Sequence, residues 1–267
     1  MSKEHLNVPL LKHALDAPSA FTPEALLGAV RAERNLSRIP VPEVCVLEFD
    51  GDLTDWLVAT ARAVRWPSWA CFHTTMHSVE VDGEPVGVIA RTIGGPYAVL
   101  VAEQLAGSGA RVILGLTSAG QVSSDLKIPS LVVPVSAVRD EGTSYHYLPA
   151  GESAEGDAGV AAALAGELVS LGLPVVTGTV WTTDAPYRET REQLERHAMN
   201  GVLAVEMQAA SLFAFGAARA VRCGVVAHVT NGLDHSSNDQ FDKGSHQLGF
   251  ELLKAMSRAA RRSLRIG

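Results

Sequence analysis

The chain has 267 residues, 47% of them hydrophobic and 19% charged, which is ample apolar material for a core and excludes a disordered chain. The net charge of −7 gives no general attraction for polyphosphate, so a nucleic-acid-coating surface is excluded and a small molecule is the expected partner.

Cys45, Cys71 and Cys223 are odd in number and too widely spaced for a disulfide framework or a paired-cysteine zinc site; they suit a reducing cytoplasm. No run approaches the roughly 18 apolar residues of a membrane span, and the polar start lacks a secretory leader, so a cytoplasmic protein without membrane contact is expected. The histidines show no ligand spacing beyond the chance neighbours His73 and His77, and no metal or cofactor is expected.

In chain order, residues 1–20 read as an N-terminal arm, with a single domain expected over 21–267. Thr22 and Pro23 open a helix over residues 22–33, with the capping threonine followed by proline at the first helical position. Six branched apolar runs then read as strands: VCVLEF from Val44, VGVIA from Val86, RVILGL from Arg111, SLVVPV from Ser130, PVVTGTVW from Pro174 and GVVAHVT from Gly224. Helical patterns separate many of them, over residues 55–65, 97–108, 159–171, 188–199, 207–220 and 246–262. Several runs lack alternation, which suits strands covered on both faces, so a mainly parallel sheet between helices is expected. Asp82-Gly83 between alternating runs predicts a hairpin over 79–88. Residues 149–159, with three glycines, read as a loop or lid. The basic residues from Lys254 to Arg265 read as a solvated helix face.

Ligands of open α/β sheets collect beyond the carboxyl ends of strands. Four such places are polar. Thr117 and Ser118 follow an apolar run among small residues; Glu206, Met207 and Gln208 enter a helix; Thr230 and Asn231 precede Asp234 and His235 in a turn; Trp181 and Tyr187 flank Thr182 and Thr183. Each has a plain structural alternative: a turn, a carboxylate on a helix dipole, an Asn-Gly turn and a helix cap.

Taken together, the blocks IGGPYAVLVAEQLAGSGARVILGLTSAG, DEGTSYHYLP, TGTVWTTDAPYRETREQLERHAMNGVLAVEMQAASLFAFGAARA and VAHVTNG resemble the nucleoside phosphorylase superfamily, nearest its uridine-phosphorylase-like branch. The resemblance covers most of residues 86–235. It implies an α/β fold, a three-layer α/β/α sandwich with a mixed, distorted central sheet, assembled as homo-oligomers from dimer to hexamer. It also implies cleavage of an N-glycosidic bond through an oxocarbenium-like sugar, by phosphate in phosphorylases and by water in nucleosidases. On this resemblance Thr117 and Ser118 fall at the nucleophile, Glu206, Met207 and Gln208 at the ribose, and Thr230 and Asn231 at the base. Tyr187, Arg188 and Arg191 fall in the segment that shapes the base pocket.

The departures from the family pattern bear on the acceptor. Where a GDPxR loop is expected the chain reads Gly51-Asp52-Leu53-Thr54-Asp55, with aspartate in place of arginine; Gly115 stands where a second arginine is usual, and no arginine lies between Arg65 and Arg91. The ribose carboxylate of the EME pattern is Gln208. These changes favour water over phosphate, with Glu206 the remaining carboxylate to activate it, and Ser118 and Asn231 assisting at the nucleophile and base. The expectation is a nucleoside hydrolase or pentosyltransferase. The alternatives are a scaffold turned to another reaction of specialised metabolism and a non-catalytic ligand-binding protein.

Overall fold

A computed structural model describes residues 8–232 and 243–266. Its elements are α1 (Pro23–Arg34), β1 (Val44–Glu48), α2 (Asp52–Ala59), β2 (Ala63–Arg65), β3 (Met76–Val81), β4 (Glu84–Ala90), α3 (Gly95–Ala106), β5 (Val112–Gln121), β6 (Ser130–Asp140), β7 (Ser153–Glu155), α4 (Ala158–Leu168), β8 (Val175–Thr183), α5 (Arg191–Met199), β9 (Val202–Glu206), α6 (Ala209–Arg219), β10 (Arg222–Asn231) and α7 (His246–Ile266).

All six predicted strands are present, and β1 shows why they lack alternation: its five residues are all buried, between parallel β4 and β5. The hairpin forms as expected, with Asp82 and Gly83 at φ 55° and 81°, the left-handed pair that a tight two-residue turn requires. The helix expected over 55–65 instead begins at Asp52 and ends at Ala59. The chain reverses at Ala61, and residues 63–65 join β3 as β2. The loop over 149–159 contains β7, paired with β6, and ends in Asp157, whose side chain caps α4. Neither Thr182 nor Thr183 caps the following helix. Thr190 does, through a reciprocal pair with Gln193, so α5 starts at Arg191 rather than at 188.

The sheet is mixed. β5, β10, β6, β8 and β9 close into a ring, because β5 pairs parallel with β10 over its length and antiparallel with β9 at Gly120 and Gln121. β1, β4, β3 and β2 extend it as a wing. Helices α3 and α6 cover one face, around Leu47, Ile113 and Phe213; α2, α4 and α7 cover the other, around Val46, Leu114 and Leu253. This is the three-layer α/β/α sandwich. The layers place the carboxyl ends of β1, β5 and β10 side by side, which concentrates polar residues there.

Close approach of α3 to α6 depends on Gly95. A Cβ there would stand 2.1 Å from the Ser211 Oγ and 3.0 Å from its Cβ, and Ser211 is itself tied to the Glu141 carboxylate at 2.6 Å. Gly95→Ala is expected to lower unfolding free energy by ~1–3 kcal/mol through overpacking, read as a lower urea midpoint.

Candidate active site

The end of β5 is the centre of the site. Cross-strand register sets Ser118 opposite His228, and sets Gly120 between Asn231 of β10 and Val205 of β9. The Thr117–Ser118, Glu206–Gln208 and Thr230–Asn231 segments therefore converge. Thr117 is buried and donates to the Ser118 carbonyl at 2.9 Å; the Ser118 hydroxyl donates to Asp50 Oδ1 at 3.3 Å. Thr230 donates to Asn231 Oδ1 at 3.0 Å, and the Met207 methyl lies over Gly94 in the turn that starts α3. Asp234 and His235 lie outside the described residues.

Glu206 is bound into the framework. Its carboxylate accepts the Thr182 hydroxyl at 2.5 Å, the Gln208 amide at 2.7 Å and the Ala209 amide at 2.9 Å. The two amides are orphan donors at the start of α6, so a carboxylate at the end of β9 holds the strand–helix junction closed. Burial pushes its carboxyl up to about 7; the Thr182, Gln208 and Ala209 bonds pull it down, and the charge of Glu141 adds to the rise.

Gln208 follows at the helix start. It has no exposed surface, lies against Gly115 and Leu212, and neither its amide oxygen nor its nitrogen has a hydrogen-bond partner among the described residues. A buried amide in that condition is costly.

Three further residues, Glu48, Asp50 and Lys243, were not singled out in the sequence, and His228 opens the polar stretch that runs on to Asn231. Glu48, at the end of β1, accepts from the Gly51, Leu53 and Thr54 amides at 3.1, 2.9 and 3.0 Å and from the Thr54 hydroxyl, so it fills the anion-binding start of α2. Burial raises its pKa; the Thr54 and Leu53 bonds oppose the rise. Asp50, Ser118, His228 and Lys243 line one cavity of ≈ 60 Å³. Lys243 bridges Asp50 at 2.9 Å and Asp52 at 3.3 Å; burial opposes its charge, yet the two carboxylates hold it above the ordinary lysine range. Asp50 stands just after the first apolar run, where strand ends attract function; Lys243 gave no such signal.

The segment after β8 is arranged differently from the expectation. Trp181 is buried, stacks on His197 at 4.4 Å and donates to Asp140 at 3.0 Å, whereas Tyr187 is fully exposed and Arg191 sits on the exposed first turn of α5. Arg188 lines a separate basin of ≈ 430 Å³ with Asp140, Glu141 and Asp184. Burial raises the Asp184 pKa, and Glu141 and Asp140 add to it against the Gly142 amide bond. Among the described residues no group of three His, Cys, Asp or Glu side chains is placed to hold a metal, and no helix is long and apolar enough to cross a membrane.

A three-layer sheet with convergent hydroxyl, amide and carboxyl groups at its carboxyl end defines a small-molecule site. The chain belongs to the phosphorylase superfamily, whose family model matches residues 44–266. It is similar to the uridine phosphorylase of Escherichia coli (strain K12), 28% identical over 169 residues, covering 58% of this chain and 67% of the relative. It is also similar to the guanosine phosphorylase of Halorubrum lacusprofundi, 28% identical over 152 residues, with 57% and 63% covered. The uridine phosphorylase of Thermococcus kodakarensis is 33% identical over 111 residues, with 42% and 40% covered. The chain thus spans about two thirds or less of the length of these relatives.

Proposed function

We propose that the protein cleaves the N-glycosidic bond of a nucleoside or related N-glycoside with water as the acceptor. The observation that carries this reading is the occupied start of α2: the amides that would receive an anion already hold Glu48. Around them stand Asp50, Asp52 and Asp55, whose cationic partners, Lys243 and Arg91, are committed to ion pairs with them. Before the offset from its paired cation, bringing a dianion to within 4 Å of one of these carboxylates costs ~1 kcal/mol per charge pair in water and ~4 kcal/mol at a partly dry surface. Water carries no such cost.

In this reading Ser118 and Asp50 hold the attacking water, with the Asp50 carboxylate as proton acceptor. Gln208 binds sugar hydroxyls, with Met207 packed beside them and Thr117 shaping the floor. Thr230 and Asn231 hydrogen-bond the departing base, while Arg188 in its separate basin, and the exposed Tyr187 and Arg191, take no part in this reading. Glu206 acts as a positioning residue, since its oxygens fix the turn that presents Gln208. The carboxylate that activates water is then Asp50 rather than Glu206. The relatives' names support the substrate class, and a homo-oligomer in the cytoplasm belongs to the same reading.

The test is incubation of the purified protein with purine and pyrimidine nucleosides, with and without inorganic phosphate, following free base by chromatography. Base release at the same rate in both conditions is expected. Release only with phosphate would overturn the choice of water, and no release from any nucleoside would overturn the substrate class.

A further inference from the structure

Arg91 follows β4 with a positive φ of 58°, and its guanidinium lies against Gly51, one residue from the Asp50 that accepts from Ser118. Thr92 ties the same turn to the Glu48 carbonyl through its amide at 3.1 Å and its hydroxyl at 3.2 Å. The turn that carries Arg91 is therefore fixed beside the start of α2, which sets its guanidinium against Gly51. Its partner is Asp55, which meets it with both carboxylate oxygens, one bond at 3.2 Å and the other closer. Glu48 and Asp52 add to the negative field on Arg91, while His77 is the further group that acts on Asp55. Both members of the pair are more than half exposed, so it adds little to stability, and its removal leaves the fold intact.

We propose that Asp55 is the residue that determines the acceptor: a built-in carboxylate that occupies the fork of Arg91 and so withholds from an external phosphate the guanidinium poised at this site. This rests on the hydrolytic reading and deepens it. A planar guanidinium engages carboxylate and phosphate with the same two-bond geometry, so the internal and external anions compete for one donor set. An internal competitor on the first turn of the same helix pays no translational entropy to bind, so even a weak exposed pair competes with dilute phosphate. Glu48 does the same at the neighbouring amides.

The experiment is calorimetric titration of inorganic phosphate into wild type, Asp55→Asn and Asp55→Asn/Arg91→Gln, with thermal unfolding to confirm that each is folded. Asp55→Ser serves in place of Asp55→Asn should that variant not fold. Asp55→Asn is expected to bind phosphate about tenfold tighter than wild type, with the double variant back at wild-type affinity. Equal affinity in wild type and Asp55→Asn overturns the proposal, as does a gain that persists without Arg91. Base release by Asp55→Asn is expected to become stimulated by phosphate, where wild type is indifferent to it. The titration needs no nucleoside. Failure of wild type to release base therefore overturns the hydrolytic reading, and the phosphate titration decides the role of Asp55 separately.

Discussion

Glu206→Ala is expected to lose about 3–5 kcal/mol of folding free energy, the largest loss of any substitution at the site. The reason is what the carboxylate holds. Its removal strands the Thr182 hydroxyl and the Gln208 and Ala209 amides in a fully buried junction, at about 1–3 kcal/mol for each unpaired donor. Against a total stability of order 5–15 kcal/mol, that loss leaves a marginal protein. Glu206→Gln keeps one acceptor oxygen but sets an amide N–H₂ among donors, so an intermediate loss is expected. Urea denaturation decides the matter: an alanine variant within about 1 kcal/mol of wild type would remove the anchoring role.

The same residue gives a pH dependence with a definite sign. Its folded value of about 7 lies above the ordinary 4.5, so the folded state binds the proton more tightly than the unfolded chain. The contribution of Glu206 to stability is therefore fully present below about pH 4.5, declines as pH rises toward about 7 and is flat above. Glu206→Gln cannot titrate. The difference in urea midpoint between wild type and this variant is expected to shrink as pH rises across that window, and a difference that grows would contradict the burial-dominated shift.

Gln208→Leu is expected to raise stability while removing turnover. The unpartnered amide carries a desolvation cost of about 1–3 kcal/mol, which an apolar residue of similar volume against Gly115 and Leu212 avoids. Two hydrogen bonds to sugar hydroxyls would be lost at the same time, and at ~1.4 kcal/mol for each tenfold this lowers base release about 100-fold. A variant that is both more stable and inactive marks a residue kept for ligand rather than fold. Unchanged turnover in Gln208→Leu would place the sugar elsewhere.

Much of this architecture is legible in local patterns. The runs at Val44, Val86, Arg111, Ser130, Pro174 and Gly224 are strands because branched apolar residues covered on both faces need no alternation. The patterns fail where a segment takes its structure from a distant partner. β7 has three residues and exists because β6 offers it an edge, and β9 is a short apolar run that by itself suits strand or helix. α2 begins early because Glu48, on the preceding strand, receives its amides.

The site divides in the same way. Thr117, Ser118, Glu206, Gln208 and Asn231 stand where polar residues follow apolar runs at strand ends, and the closed ring brings those ends together. For Glu206 the sequence offered two readings, a catalytic carboxylate or one on the helix dipole, and could not choose, since both read alike before the sheet places the amides.

By itself the sequence determined the layers, the parallel core strands, the hairpin and the family resemblance, because apolar periodicity and turn chemistry act over neighbouring residues. Only the tertiary structure decided that Glu206 is an anchor, that Asp50 joins Ser118, and that the fork of Arg91 is closed by Asp55. The last two depend on groups 68 and 36 positions apart in the chain, and the first on Thr182, 24 positions before Glu206, so they meet only after the sheet has folded.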